Sequence, residues 1–253
     1  MKRVHYTEKY LLDPTHPITV SLIGAGGTGS QVLTSLARIN HALLALGHPG
    51  LYVSAYDNDD VSEANIGRQL FSESDIGLNK ANVLITRVNR FFGTDWKCIP
   101  KLYGNGQEEP ENIIISCVDS IKSRLQISKA IDGKSGIDYQ RRLYWLDFGN
   151  GTNFGQVVLG TLAEIQQPKS DKYEVISNLK TVTELFDFSI VNEKDSGPSC
   201  SLAEALRKQD LFINSTLSQL GCALLWKLIT NGMIDCQGAY LNLDTMNANP
   251  IKL

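Results

Sequence analysis

The strongest constraint on this chain is a junction: the apolar run ITVSLI (18–23), the loop GAGGTG (24–29), then SQVLTSLARI (30–39). β-branched residues favour a strand before the loop, and the apolar spacing after it favours a helix. The glycines allow backbone conformations closed to other residues and let the chain approach a ligand or another segment closely. A helix starting in such a turn presents unpaired N–H groups and a partial positive charge, a natural seat for phosphate. By itself the loop leaves three readings open: a redox dinucleotide, another nucleotide, or plain strand–helix packing. A P-loop is excluded, because the one Gly-Lys-Ser, at 133–135, has Ser128 where the leading glycine would stand.

The rest of the chain extends this unit by alternation. The pattern predicts a strand at 17–23, a helix over 28–46, a strand at 51–57 and a helix over 77–91. A strand is expected at 96–103. NIIISCV (112–118) is apolar enough for a strand covered on both faces, and a helix capped by Asp119 or Ser120 follows it. Strands at 143–149 and 155–162 flank a Gly/Asn turn. This order implies a doubly wound, Rossmann-like α/β fold, a mostly parallel sheet with helices on both faces. Residues 163–199 read as irregular, with NLKTVTELF the one candidate element. SLAEALRKQDLFINSTLSQLGCALLWKLI (201–229) reads as one long helix or a helix pair, and GAYLNLD (238–244) as a closing strand. The expectation is one domain over 1–253 with an embedded crossover-type segment at about 163–200.

Composition narrows the partners. A net charge of −3 gives no electrostatic reason to expect nucleic acid or a membrane surface. Apolar stretches such as CALLWKLI fall far short of the ~20 residues of a membrane span. The N-terminus MKRVHYTEKYLLD has no signal-peptide core, so a cytoplasmic location is expected. Cys98, Cys117, Cys200, Cys222 and Cys236 form no C-x-x-C pair, which gives no support for a zinc site. Cys117 and Cys222 read as core. His5, His16, His41 and His48 show no ligand spacing.

The chemistry is concentrated in DNDDVSEANIGRQLF (57–71). Asp57, at a strand end, is placed to hold a ribose, although it lies farther from the glycines than the ~20 residues of a dinucleotide fingerprint. Asn65, Arg68 and Gln69 follow, and then Lys80 in GLNK. Hydride transfer has no use for an amide, a guanidinium and an ammonium beside a phosphate loop. Cleavage of a triphosphate does, because charge developing on the α-phosphate and pyrophosphate must be met by preorganised donors. Asp119, after the buried strand, points into the crevice outside the strand ends and could hold Mg²⁺ through oxygen.

In this order, GAGGTG, Asp57-x-Asp59-x-Val61, Asn65-x-x-Arg68-Gln69, Lys80 and Cys117-Val118-Asp119 resemble the ThiF/MoeB family, the adenylation domain shared with ubiquitin-activating enzymes. The resemblance is strong over residues 17–130, and the segment GPSCSLAEALRKQDLFINSTLSQLGCALLW resembles the form found in the bacterial PRTRC gene system. It implies that Gly24, Gly26, Gly27 and Gly29 lie under ATP and that Asp57, with Asp59 and Gln69 beside it, binds the nucleotide. It further implies that Asn65, Arg68 and Lys80 act on the phosphates and that Asp119 holds Mg²⁺. The implied reaction activates the C-terminal carboxylate of a small ubiquitin-like protein as an acyl adenylate, and the implied assembly is a homodimer. Cys200, before a helix in the crossover region, is a candidate acceptor of the acyl group as thioester. Many relatives bind zinc through two C-x-x-C pairs, absent here, and many borrow an arginine from the dimer partner, for which Arg3 matches only loosely. The alternatives are a nucleotide-binding pseudoenzyme or scaffold of a plasmid-type gene system, and an NAD-binding oxidoreductase.

Overall fold

The computed structural model describes residues 1–106, 108, 111–131, 141–188 and 209–253. Its main sheet is built from β2 (Ile18–Ile23), β3 (Leu51–Tyr56), β4 (Lys97–Ile99), β5 (Ile113–Ser116), β6 (Tyr144–Asn150), β7 (Phe154–Thr161), β10 (Cys236–Asn242) and β11 (Asn247–Lys252). Among the described residues the spatial order is β11-β10-β7-β6-β5-β2-β3-β4. The run from β4 to β6 is parallel, and β7, β10 and β11 continue it antiparallel. β2 pairs with β3 on one side and β5 on the other, Val20 facing Val53 and Ile113. From β2 the chain builds outward one way through β3 and β4, then returns to build the other way through β5 and β6. The carboxyl ends of β2 and β5 therefore flank a topological switch point, where doubly wound sheets open a crevice.

Alternation along the strands feeds two cores. Val20, Leu22, Val53, Ile113, Ile115 and Leu146 pack under α2 (Gly27–Ala45), α3 (Lys80–Phe92) and the helix we label α6 (Ile213–Asn231). Ile23, Tyr56, Ile114, Trp145 and Val158 face α4 (Ile121–Ile131) and α5 (Val182–Leu185). This is the sandwich of helices on both sheet faces expected from the sequence. No helix among the described residues is long and apolar enough to cross a membrane.

Three expectations needed correction. The strand expected at 96–103 is confined to β4. The closing strand is a hairpin, because NANPIK pairs as β11; Pro250 is tolerated where an edge strand needs no inward donor. Within 163–188 a strand not expected from sequence, β8 (Tyr173–Val175), joins β1 (Lys2–Tyr6) and β9 (Met233–Ile234) in a second, small sheet, while α5 falls within NLKTVTELF, the one element expected there; residues 189–208 lie outside the described residues. α1 (Lys9–Leu12) and β1 were also unread. The small sheet pairs Val4 with Val175 and His5 with Ile234, contacts between distant segments that leave no local pattern.

Two buried polar clusters bind the layers. On the α4 face, Arg124 Nε donates to Asp147 Oδ1 and Oδ2 at 3.1 and 3.0 Å. Its Nη2 donates to the carbonyls of Val118 and Phe148 at 2.8 and 2.7 Å. Ser116 Oγ donates to Asp147 and accepts from Trp145 Nε1, so every member is satisfied. At the other end His5 joins β1 to the main sheet. Its Nδ1 faces the Ile176 carbonyl at 2.7 Å and must donate, so Nε2 accepts from Tyr144 Oη at 3.0 Å. That oxygen accepts in turn from the Glu8 N–H.

Arg124→Met should lower the unfolding free energy by about 3–5 kcal/mol, because it strands Asp147 in the core. Arg124→Met with Asp147→Leu should recover most of the loss in urea denaturation; an unchanged deficit would show that packing, not the uncompensated charge, is responsible. Burial lowers the pKa of His5 below its ordinary value. The unfolded chain thus takes up its proton first, and stability present above about pH 6.5 is lost as pH falls through the window below it. His5→Asn should flatten that part of the urea-midpoint profile.

Candidate functional site

A cleft of about 350 Å³ opens at the switch point. Its lining brings together Gly24, Gly26, Gly27, Asp57, Asp59, Arg68, Gln69, Lys80 and Asp119, all expected at the site from sequence. Gly29 is not in the lining: it lies in the first turn of α2, where an added Cβ would sit 1.8 Å from the Gly24 carbonyl oxygen. Gly24 has φ +89° and leaves room for the Cys117 carbonyl, 2.8 Å from where its Cβ would be. Together they let α2 begin directly behind β2, with its N-terminus at the cleft floor.

Asp57 stabilises this turn as well as lining the cleft. Its Oδ2 accepts from the Ala25 N–H at 2.6 Å and its Oδ1 from the Asp59 N–H at 2.8 Å. Each oxygen keeps a further lone pair for a hydroxyl. Burial raises the carboxyl pKa, opposed by these two N–H bonds and by the Lys80 charge. Lys80 Nζ, itself buried, pairs with Asp59 Oδ2 at 3.0 Å. Asn79 ties the start of α3 to the loop that carries Asp57 and Asp59. Its Oδ1 caps α3 by accepting from Asn82 N, and its Nδ2 donates to the Asp57 and Asp59 carbonyls at 3.0 and 3.1 Å.

Arg68 and Gln69 arrive on the turn after a short 3-10 segment. Arg68 Nη1 donates to Gln209 Oε1 at 2.6 Å, whereas its Nε is buried without a partner. Gln69 is 7% exposed, and its Oε1 is likewise buried and unpaired. Leaving such groups unmet costs about 1–3 kcal/mol each. Asn65 stands behind this turn and outside the lining. Its Oδ1 accepts from the N–H and hydroxyl of Ser62, and its carbonyl accepts from Gln69 N. It braces the segment that carries Arg68.

Across the cleft, Ser120 caps α4: its Oγ accepts from Ser123 N at 3.1 Å. This leaves the neighbouring exposed carboxylate of Asp119 unused by the helix, and no described residue forms an ion pair with it. Burial pushes the Cys117 thiol well above its ordinary value and the Cys222 thiol up to about 12; Cys222 is a core residue as expected, whereas Cys117 is half-buried and lines the cleft. Cys200 lies outside the described residues. Arg3 is on β1, paired with Glu174 and the Leu253 carbonyl, and does not line the cleft.

Sequence reasoning missed Asn150, Gln209 and Asn214, which complete the lining from the end of β6 and the start of α6. No motif marks them. Asn79 was legible in principle, as a capping residue immediately before an apolar-periodic helix.

The arrangement suits a nucleotide phosphate chain: a helix start, a guanidinium and an ammonium on one side, and a free carboxylate on the other. The sequence model of the ThiF family matches residues 16–249. The ubiquitin-like modifier-activating enzyme 5 of Aedes aegypti is 27% identical over 153 residues, 53% of this chain and 34% of that protein. Its counterpart in Drosophila persimilis is 26% identical over 153 residues, again 53% of this chain and 35% of the relative. The chain thus spans about a third of the length of these curated relatives. Among solved structures, E. coli MccB superposes with a TM-score of 0.61 at 16% identity, covering 96% of this chain and 63% of MccB. MccB with ATP gives 0.60 at 17%, covering 96% and 64%. PaaA gives 0.58 at 15%, covering 93% and 64%. At such identities the likeness establishes the fold.

Gly29→Ala should destabilise the protein by about 1–3 kcal/mol or more, since backbone must move to admit the methyl group. Gly26→Ala meets nothing nearer than Gln69 Oε1 at 3.9 Å and should fold with a much smaller loss. Urea denaturation of the two variants checks the contrast; equal losses would contradict it.

Proposed function

The chain belongs to the ThiF family, and from that premise we propose that it is an ATP-dependent adenylyltransferase. Its acyl substrate is the C-terminal carboxylate of a small ubiquitin-like protein. A carboxylate oxygen attacks the α-phosphorus, the bond to the bridging oxygen breaks, and pyrophosphate leaves with the electron pair. The observation that carries this reading is the half-buried Arg68 guanidinium, in the same cleft as Lys80, the start of α2, Asp57 and Asp119.

Each residue has a task in that chemistry. The first N–H groups of α2 and the Gly26-Gly27 backbone cradle phosphate oxygens. Asp57 accepts from a ribose hydroxyl through its remaining lone pairs. Arg68 and Lys80 meet the charge that grows on the departing pyrophosphate, and Asn65 keeps the Arg68 turn in place. Gln69 offers its unpaired amide to the nucleotide. Asp119 suits Mg²⁺, which takes one or two carboxylates together with substrate phosphate oxygens. When bound, that ion neutralises phosphate charge. The curated relatives, named as ubiquitin-like modifier-activating enzymes, support the choice of acyl substrate.

The test is ATP–pyrophosphate exchange with candidate ubiquitin-like proteins whose C-termini are free or amidated. Exchange should require Mg²⁺ and the free carboxylate. NAD binding without exchange would overturn the proposal. Asp119→Ala and Arg68→Ala should each reduce exchange by roughly 100-fold or more while thermal unfolding stays near that of the parent protein.

A further inference from the structure

Arg68 does not hold its own position. The guanidinium has donors only, so the Gln209 atom it meets at 2.6 Å must be the amide oxygen. The same Gln209 presents its Nε2 to the Gly151 carbonyl at 3.3 Å, which accepts only. These two contacts dictate the orientation of the Gln209 amide. Asn214 faces the same Gln209 oxygen and must therefore offer Nδ2, which it does at 2.9 Å. Its oxygen is then turned the other way, accepting from Thr28 Oγ1 at 2.8 Å and Asn150 Nδ2 at 3.2 Å. The polarity of the whole chain, Thr28 and Asn150 to Asn214 to Gln209 to Arg68, is set from the Arg68 and Gly151 end.

Asn214 is 3% exposed, and Gly27 exists in a form that accommodates it: a Cβ there would sit 2.7 Å from Nδ2. The residue thus ties the first turn of α2, the end of β6 and the first turn of α6 to the guanidinium. We propose that Asn214 is the positioning residue of the phosphate clamp, holding Arg68 toward the cleft through Gln209 and fixing it relative to the glycine turn. Although it is part of the cleft lining, it makes its hydrogen bond toward the clamp through Gln209, and its role is exerted through Arg68. The inference rests on the adenylation reading, in which Arg68 meets phosphate.

The experiment is a double-mutant cycle. Mg-ATP affinity, KM for ATP and the exchange rate are measured for the parent protein, Asn214→Ala, Arg68→Ala and the double variant, with thermal unfolding followed for each. Asn214→Ala should weaken ATP binding and exchange about tenfold, and in the Arg68→Ala background it should add almost nothing. Asn214→Asp keeps the acceptor for Thr28 and Asn150 but sets an oxygen against the Gln209 oxygen, so it should lose at least as much. Gln209→Ala should reproduce the loss from outside the packed core. Equal fold-changes in both Arg68 backgrounds, or parent-like ATP binding by Asn214→Ala and Gln209→Ala, would overturn the inference and leave the adenylation reading standing. A parent protein that binds neither Mg-ATP nor pyrophosphate would overturn both.

Discussion

At Gly29 the first turn of α2 passes the Gly24 carbonyl so closely that a single methyl group would lie 1.8 Å from its oxygen. That approach lets the helix start at the very end of β2, and it determines where the N-terminal N–H groups of α2 point. Gly24, with its positive φ, makes the same turn pass the Cys117 carbonyl, so the ends of β2 and β5 are locked side by side. Asp57 closes the third side by accepting from Ala25 N. The floor of the cleft, the N–H groups at the start of α2 and the position of Asp119 all follow from backbone proximity at these few atoms.

Charge is handled in two ways around this floor. Structural ions are fully paired in the core, as with Arg124 and Asp147, whose companions Ser116 and the Val118 and Phe148 carbonyls leave nothing unmet. Because Arg124 grips the Val118 carbonyl, that pair also anchors the strand end beside Asp119. Around the cleft the polar groups are only partly paired. Lys80 meets Asp59, whereas among the described residues Arg68 Nε finds no acceptor and Gln69 Oε1 no donor. Such incompleteness lowers the stability of the empty protein.

Much of this was legible beforehand. β-branched density in ITVSLI and NIIISCV identified the central strands, and the GAGGTG turn with Asp57, Arg68, Gln69, Lys80 and Asp119 gave the cleft, because these residues follow strand ends in the order the doubly wound topology uses. Less legible were elements whose partners are remote. β1 has no core of its own and forms only because Val4 and His5 meet Val175 and Ile234. β11 contains Asn and Pro, poor strand formers, and is held as a strand by its pairing with β10. Asn65, expected in the cleft, instead braces it, since a capping box to Ser62 uses its oxygen.

The sequence by itself determined the strand–turn–helix at 18–45, the order of the parallel strands and the chemical types gathered at their ends. Those properties are local: propensity, periodicity and glycine conformation act within a few residues. Only the tertiary structure decided which amides join Arg68, because Gln209 is 141 positions from it and Asn214 is 186 from Thr28. Whether a side-chain amide donates or accepts depends on what it faces, and what it faces is known only once the sheet has closed and α6 has come to rest against α2.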